Sequence, residues 1–229
     1  MKRITIILPV YNERENLKAN FPKIYSAAKK LGSFEIIIAE DGSTDGSREL
    51  AKNFGKLPNV VVLSRKEKSG KGEAVKRSIS AAKGKVIGYM DIDLSVPLSY
   101  LPAAVAKVEE GNKVLIGSRY VKGSDIRRTA LRHFLSKGYN LLMLALFGSR
   151  VKDHQCGFKF FDGRYAKELA RRTKDNHWFF DTEMLVLAQR DGIVPYELPV
   201  KWREQKSTKV RKKDIYLFLK AALRFRLGL

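Results

Sequence analysis

The chain has 229 residues, and its 44% apolar residues are enough to build a sizeable hydrophobic core, which excludes an intrinsically disordered protein. Its 45 Lys and Arg against 24 Asp and Glu give a formal net charge of +21. Such a charge favours an anionic partner, either a nucleic acid, a nucleotide substrate or an anionic lipid surface. The single cysteine, Cys156, excludes an internal disulfide and a metal site built from several cysteines.

No segment of the sequence has the pattern of a signal peptide or a membrane span. The chain starts with Met1-Lys-Arg-Ile-Thr and continues directly into an apolar strand pattern. The longest apolar runs, Leu141–Phe147 and Ile215–Leu219, are much shorter than the roughly 20 residues that a bilayer requires. Together with the single cysteine, these features predict a protein of the reducing cytoplasm.

The first half of the chain alternates between strand and helix patterns, as βαβ units with a parallel sheet do. The predicted strands are Ile4–Val10, Glu35–Ala39, Val60–Leu63, Val86–Met90 and Val114–Gly117. The predicted helices are Glu13–Leu31, Gly46–Phe54, Lys71–Ala82 and Ser99–Glu110. We therefore expect an α/β fold with a mostly parallel sheet that is covered by helices on both faces and binds ligands at the carboxyl ends of its strands.

Residues with useful chemistry follow four of these strands. Asp91 and Asp93 follow the fourth strand, and residues i and i+2 of an extended chain share a face, so both carboxylates can converge on one divalent cation bound to a diphosphate. The other three loops begin with Tyr11-Asn-Glu13, Glu40-Asp41 and Gly117-Ser-Arg119. Because the carboxyl ends of parallel strands meet at one edge, we expect these loops to line one crevice.

Two loops allow both a functional and a purely structural interpretation. The Asp41 carboxylate can accept hydrogen bonds from a nucleobase, but Asp-Gly is also common in turns, and Ser43 or Asp45 can cap the next helix. Lys68-Ser-Gly-Lys71-Gly72 opens a helix, where a lysine and free backbone N–H groups favour anions. It lacks the spacing of a P-loop and is equally compatible with a plain surface loop. The glycine pattern of a dinucleotide-binding turn is missing after the first strand, which argues against an NAD-dependent dehydrogenase.

The second half has a different pattern. Arg127–Phe147 is predicted to be a helix, with Arg128, Arg132 and Ser136 on one face. Further helices are expected near Gly163–Arg171, at Phe180–Gln189 and from about Lys213, with a strand at Tyr196–Trp202. The three histidines have no metal-ligand spacing, and two acids, Asp181 and Glu183, fit the start of a helix through its dipole alone. No linker marks a boundary, so residues 1–208 are expected to form one domain.

Residues 209–229 combine a broad apolar surface with many basic side chains, Lys220, Arg224 and Arg226 among them. A helix of roughly 14 residues is about 21 Å long, too short to span a membrane but suited to lie on an anionic one. The alternative is that this helix packs on the core of the protein itself. We expect the segment to be an amphipathic, membrane-interfacial helix, which would place the protein peripherally on the cytoplasmic face of a membrane.

Seven motifs, in order, resemble those of family 2 glycosyltransferases of the dolichyl-phosphate sugar synthase type. They are Leu8-Pro-Val-Tyr-Asn-Glu-Arg-Glu-Asn16, Glu40-Asp-Gly-Ser-Thr-Asp-Gly46, Gly70-Lys-Gly72, Asp91-Ile-Asp-Leu-Ser95, Gly117-Ser-Arg-Tyr120, Gln155-Cys-Gly-Phe158 and Glu197-Leu-Pro-Val. The resemblance implies a GT-A fold, a nucleotide-diphosphate sugar donor such as UDP-glucose or GDP-mannose, a Mg²⁺ or Mn²⁺ ion, and dolichyl or another polyprenyl phosphate as acceptor. It leaves the oligomeric state open.

By position, the resemblance also implies three groups of site residues. Those expected to hold the nucleoside are Pro9, Tyr11, Glu13 and Asp41. Lys71 is expected to face the donor, and Asp91 and Asp93 are expected to serve the metal and the donor diphosphate. Those expected to hold the acceptor phosphate are Arg119, Arg132 and Ser136. The chain departs from the family at Glu40, where an aspartate is usual, and at Ser95, where many mannosyl members have a metal-contacting Gln.

Three functional alternatives follow. A lipid monophosphate, with a second pKa of about 6, is already a nucleophilic dianion at neutral pH and needs no general base for an inverting transfer. A soluble family 2 transferase acting on a sugar hydroxyl would need a carboxylate base, for which Asp153, Asp181 and Glu183 are candidates. A nucleic-acid-binding protein is suggested by the charge alone and lacks any recognised module. We therefore expect a hexosyltransferase that acts on a polyprenyl phosphate and binds no nucleic acid.

Overall fold

The computed structural model describes residues 2–127, 129–203 and 212–228, except for the side chains of residues 130–133 and 212–216. The strands are β1 (Lys2–Val10), β2 (Phe34–Asp41), β3 (Val60–Arg65), β4 (Gly84–Met90), β5 (Val114–Ser118), β6 (Asp125–Arg127), β7 (Phe158–Asp162), β8 (Tyr196–Pro199) and β9 (Lys201–Arg203). The α-helices are α1 (Arg14–Lys30), α2 (Ser47–Phe54), α3 (Lys71–Ala81), α4 (Leu101–Glu109), α5 (Ala130–Phe147), α6 (Gly163–Arg172), α7 (Phe180–Arg190) and α8 (Lys212–Arg226).

Seven strands form the central sheet, in the order β3-β2-β1-β4-β7-β5-β8. All of them are parallel except β7, which is antiparallel to both β4 and β5, with Met90 opposite Phe158. The predicted strands of the first half and the mostly parallel sheet are confirmed. Strand β7 was not predicted, and the single strand expected at Tyr196–Trp202 is two strands, of which β9 pairs with β6 in a separate small sheet.

Hydrophobic side chains alternate between the two faces of the sheet, as the period of a strand requires. In β1, Ile4, Ile6 and Leu8 join the core on the face that carries α1, α2 and α4. Ile7 joins the opposite core, which it shares with side chains of α3, α6 and α7. The strands are buried on both faces, which is why their sequences are nearly continuous apolar runs.

Helices α5 and α8 form a third, smaller hydrophobic cluster. Phe218 and Ala222 of α8 are buried there with Met143 of α5 and with Phe179, which directly precedes α7. The ring of Phe225 also contacts Phe179, with ring centroids 5.9 Å apart. The C-terminal helix therefore packs on the protein through one face. Among the described helices, none combines the length and the apolar character needed to cross a membrane.

Candidate active site

The loops that follow β1, β2, β4 and β5 lie at one edge of the sheet, because these strands run in the same direction. We call this edge the loop edge and define it by Tyr11, Asp41, Asp91 and Arg119. Hydrogen bonds connect its first two loops. Thr44 N–H donates to the Asn12 side chain, and Asn12 N–H donates to Ser43 Oγ. The first two of the four strand-end loops are thus in direct contact, and the crevice expected between all four stays a prediction.

Asp91 and Asp93, which we call the acidic pair, lie where β4 ends. Asp91 Oδ1 accepts a hydrogen bond from Lys71 Nζ at 2.8 Å, and the Asp91 side chain is 41% exposed. Asp93 Oδ1 accepts from Ser95 N–H at 2.9 Å in a tight turn that puts Leu94 at a φ of 54°. Burial, together with the negative charge of Asp91, raises the pKa of Asp93 above its ordinary value. The two carboxylates are therefore close enough to repel each other, and a cation between them would relieve that repulsion.

The segment that precedes β7 contacts Asp91 closely. Asp91 N–H donates to the Gly157 carbonyl oxygen at 2.9 Å. A Cβ atom at position 157 would overlap the Asp91 carboxylate, so no larger residue fits at 157 in this arrangement. The glycine of the Gln155–Phe158 motif is thus explained by its contact with Asp91. A small cavity of about 10 Å³ lies beside it, lined by Asp91, Ser95, Gly157 and Trp202 among others.

Lys71 is the cation that faces the acidic pair. Burial acts to lower the pKa of this ammonium group, but the carboxylates of Asp91 and Asp181 outweigh it and hold the pKa above its ordinary value. Its Nζ also lies 5.5 Å from the ring centre of Trp178. Lys71 therefore stays charged beside Asp91.

The expectation of free backbone N–H groups at the start of α3 is wrong. Gly72 N–H donates to the His177 carbonyl at 3.1 Å, and Glu73 N–H donates to the Asn176 carbonyl at 3.0 Å. The loop that carries these carbonyls lies so close that a Cβ atom at Gly70, whose φ is 110°, would overlap Asn176 and His177. A helix start whose donors are already satisfied is a weaker anion site. From this segment, the Lys71 side chain reaches Asp91.

Asp41 holds the loop that leads into α3. Its Oδ1 accepts from Ser69 N–H at 2.8 Å and from Ser69 Oγ at 2.5 Å, and its Oδ2 accepts from Gly70 N–H at 2.8 Å. Its neighbour Glu40, which is fully buried, accepts from Ser43 N–H, Arg48 Nε and the Ser64 hydroxyl. Glu40 and Asp41, the last two residues of β2, thus organise the adjoining loops, and the nucleoside contact expected of Asp41 stays a prediction.

The loop after β1 places its residues at the loop edge as expected. Lys68 Nζ lies 3.9 Å from the ring centre of Tyr11, a cation–π contact between two loops. Glu13 N–H donates to Ser47 Oγ at 2.9 Å, and the Glu13 carboxylate accepts from the Asn16 side chain at 2.6 Å. Pro9 lies within β1, paired with β2. Their roles in binding a nucleoside stay predictions.

Arg119, at the end of β5, forms a buried ion pair that the sequence did not reveal. Its Nε and Nη2 each lie 2.7 Å from one carboxylate oxygen of Asp153, and its backbone N–H donates to the same group. Burial raises the pKa of the Asp153 carboxyl, but the Arg119 charge outweighs it and holds that pKa below its ordinary value. Two of the three guanidinium nitrogens are thus committed to Asp153.

The remaining acceptor residues lie on or next to α5. Ser136 is partly exposed on that helix. The backbone of Arg132 belongs to α5, but its side chain lies outside the described residues, as does the whole of Arg128. Whether they meet Arg119 at an acceptor phosphate therefore stays a prediction.

Sequence analysis missed Lys159, a fully buried lysine of β7. Its Nζ donates to Asp181 Oδ1 and to the Cys156 carbonyl, both at 2.7 Å, and the hydroxyl of Tyr89 also donates to Asp181 Oδ1. Glu183, two residues further along the chain, accepts from the backbone N–H groups of residues 174 and 175, both at 2.8 Å. The one sequence feature that could have indicated a buried, paired lysine is its position inside the run of phenylalanines at 158–161.

Comparison with known proteins identifies the family. Residues 5–170 match the model of glycosyl transferase family 2. Glycosyltransferase AglD of Haloferax volcanii is 34% identical over 90% of this chain, which spans only 34% of that protein's length. A dolichyl-phosphate beta-glucosyltransferase of Dictyostelium discoideum is 32% identical over 90% of this chain and 68% of its own.

The fold has relatives among solved structures as well. Glucosyl-3-phosphoglycerate synthase of Mycobacterium tuberculosis, crystallised with Mn²⁺, UDP and its product, superposes on the whole chain and on 81% of its own. The TM-score is 0.69, and the sequences are 18% identical. The arrangement of α/β layers around a mostly parallel sheet is therefore that of the GT-A fold, and the chain belongs to glycosyl transferase family 2.

Proposed function

We propose that this glycosyltransferase transfers a hexose, with inversion, from a nucleotide-diphosphate sugar to the phosphate of dolichol or another polyprenol. The similarity to a dolichyl-phosphate beta-glucosyltransferase over nine-tenths of the chain supports this acceptor. The donor remains open between UDP-glucose and GDP-mannose. Four loops that hold charged and aromatic side chains at the loop edge support a nucleotide-sugar site there.

One observation carries the choice between acceptors. Transfer to a sugar hydroxyl needs a carboxylate base, whereas a phosphate dianion does not. Each of the three carboxylates considered for that task is buried and committed to other groups. Asp153 is paired with Arg119, Asp181 with Lys159, and Glu183 with two backbone N–H groups. This arrangement favours an acceptor that arrives already deprotonated.

The acidic pair fits a divalent cation. Mg²⁺ and Mn²⁺ prefer oxygen ligands, and Mg²⁺ is commonly held by one or two carboxylates together with substrate phosphates. Asp91 and Asp93 supply such a pair, and no group of three His, Cys, Asp or Glu side chains in the described part of the chain offers a closed metal cage. When bound, the ion would neutralise charge on the leaving diphosphate.

The residues of the chain then act by position and charge. Lys71, held charged beside Asp91, would attract the donor diphosphate. The pair with Asp153 uses the Nε hydrogen and one Nη2 hydrogen of Arg119, so its contact with an acceptor phosphate would be through Nη1 and the second hydrogen of Nη2. Arg132 and Ser136, on the first turns of α5, would supply the remaining contacts to that phosphate. No proton transfer by the enzyme is needed, because the nucleophile is already a dianion.

A polyprenyl phosphate resides in a membrane, so the proposal also requires peripheral membrane contact. Several large apolar side chains of α5, of α8 and of the residue that follows α8 are exposed to solvent, namely Phe134, Leu141, Leu144, Leu217, Leu223 and Leu227. Exposed basic residues are interspersed with them on α8, at Lys220, Arg224 and Arg226. Apolar residues beside basic ones suit an anionic lipid surface. We propose that it is the cytoplasmic surface, consistent with a chain whose single cysteine is unpaired.

The proposal is tested by a donor and acceptor screen. The full chain is incubated with radiolabelled UDP-glucose or GDP-mannose, dolichyl phosphate in detergent, and Mg²⁺ or Mn²⁺. Label from one donor should pass into the lipid phase and be released by mild acid. Parallel reactions contain soluble glycosides instead of lipid. Label that appears only on the soluble glycosides would replace this proposal with transfer to a sugar hydroxyl.

A further inference from the structure

A buried charged network lies directly behind the acidic pair. Lys159 and Asp181 are almost completely inaccessible to solvent, with exposed fractions of 0% and 5%, and Nζ of the lysine is 2.7 Å from Oδ1 of the aspartate. Tyr89, the residue opposite Lys159 in the β4–β7 pairing, donates its hydroxyl to the same oxygen.

Stability alone does not account for this network. Removing two charges from water costs several kcal/mol per ion, and well-packed apolar residues in place of a buried ion pair are often neutral or stabilising. The surrounding core is apolar and aromatic, with Phe161 and Phe180 stacked or tilted against Tyr89. Core packing therefore does not explain why position 159 is a lysine. The specific hydrogen bonds that its side chain donates provide an explanation.

The network reaches Asp91 by two routes. In the first, Lys159 Nζ holds the Cys156 carbonyl, and the next residue, Gly157, accepts from Asp91 N–H and lies against the Asp91 carboxylate. In the second, the negative charge of Asp181 attracts the Lys71 ammonium group without a direct hydrogen bond, and Lys71 pairs with Asp91 at 2.8 Å. Both routes converge on one carboxylate of the acidic pair.

We propose that Lys159 and Asp181 are positioning residues that fix the Cys156–Gly157 segment and Lys71 around Asp91, so that the acidic pair is held in the geometry for a metal-bound nucleoside diphosphate. The inference rests on the proposed function in assigning the acidic pair to the donor. It assigns neither residue a contact with substrate, and it removes Asp181 from the candidates for a general base.

The test uses the double variant Lys159→Met/Asp181→Asn, which removes both charges together and leaves no unpaired ion. Its affinity for UDP and for GDP is measured by titration calorimetry with Mn²⁺ present, alongside its melting temperature. We expect a folded protein whose affinity for the nucleotide that the wild type binds is weakened at least about tenfold. Tyr89→Phe, which keeps the ion pair and removes one hydrogen bond, should weaken the same affinity by about three- to fivefold.

The matched control is Glu35→Gln, a buried acid at the opposite end of the sheet that accepts from Thr5 Oγ1 and Lys83 N–H. It should change the melting temperature without changing nucleotide affinity. If both network variants bound nucleotide as tightly as the wild type, with or without a lower melting temperature, the network would be structural only and the inference overturned. A wild type that bound neither nucleotide would refute the proposed function itself, and the inference with it.

Discussion

Arg119 and Asp153 form a two-point ion pair inside the protein, with both N···O distances at 2.7 Å and side-chain exposures of 6% and 0%. The pair joins the end of β5 to the segment that precedes β7. Sequence analysis had given the two residues unrelated roles, one as a phosphate ligand and the other as a candidate base. Their pairing makes each one the neutralising partner of the other.

Breaking that pair should destabilise the fold. Asp153→Asn leaves the Arg119 guanidinium buried without its counter-charge, and we expect the free energy of unfolding to fall by about 3–5 kcal/mol. Urea denaturation followed by circular dichroism measures this. Asp125→Asn is the control, because its ion pair with Arg203 is exposed and should contribute little. Equal stability of the two variants would contradict the buried-pair interpretation.

The acceptor assignment is tested better at Arg132 than at Arg119, whose removal also leaves Asp153 unpaired. We expect Arg132→Ala to lower kcat/KM for polyprenyl phosphate at least about tenfold while donor affinity is little changed. Arg132→Lys should recover only part of the loss, because it restores charge without the planar fork. Lys137→Ala, an exposed basic residue of the same helix, is the control. Normal transfer by Arg132→Ala would remove this residue from the acceptor site.

Activity should depend on a divalent cation through the acidic pair. Asp91→Ala and Asp93→Ala are each expected to abolish transfer, because an oxygen ligand and the charge that holds the cation are lost. Both variants should keep the circular dichroism spectrum of the wild type. Excess EDTA should likewise stop the reaction, and added Mg²⁺ or Mn²⁺ should restore it. Full activity in EDTA would exclude the cation from the mechanism.

Acid should destabilise the protein through His154. This histidine is fully buried, and burial, reinforced by the Lys159 charge, lowers its pKa to about 3, against about 6.5 for an unperturbed histidine. Its stabilising contribution is therefore complete above about pH 6.5 and is lost as the pH falls toward 3.

We expect the difference in free energy of unfolding between the wild type and His154→Gln to shrink over that interval, by as much as about 1.4 kcal/mol per pH unit. Denaturation at a series of pH values measures it, and the comparison of two proteins cancels the groups they share. If this difference in unfolding free energy did not vary between pH 6.5 and pH 4, protonation of His154 would not destabilise the folded protein.

Membrane binding should depend on the outward face of α8. Leu223→Glu/Leu227→Glu places two charges on exposed positions and leaves the buried Phe218 and Ala222 in place. We expect this variant to lose most of its co-sedimentation with anionic liposomes, and higher salt to weaken binding of the wild type. Val194→Glu is the control, because Val194 is also exposed but lies between α7 and β8. Unchanged binding by the α8 variant would leave this helix with a packing role only.

Much of the fold could be predicted because its strands are apolar on both faces and its helices are amphipathic. The two patterns differ clearly in sequence, so the strands and helices of the βαβ units could be told apart. The position of the acidic pair followed from the same logic. Strand β7 could not be predicted in this way. Its five residues show no alternation, and Lys159 at its centre resembles a surface residue until its partner Asp181, from another element, is known.

For a related reason, the sequence did not reveal that backbone N–H groups at the start of α3 already have hydrogen-bond partners. A glycine-rich turn before a helix indicates available N–H groups, but the carbonyls of Asn176 and His177 that satisfy them come from a loop about a hundred residues further along the chain. Likewise, the partners of Asp153 and Asp181 are distant in sequence. Local patterns predicted which residues reach the loop edge, whereas long-range pairing decides which of them are available for chemistry.

The packing of α8 has a mechanical consequence. A helix that buries Phe218 and Ala222 in a cluster with Met143 and Phe179 cannot detach without exposing that cluster to water. Phe179 is followed after one residue by Asp181, whose own partner Lys159 holds the segment around Asp91. If the protein docks on lipid through α8, as proposed, side-chain packing would set the height of the acidic pair above the bilayer, and the enzyme would act as a rigid spacer of fixed reach.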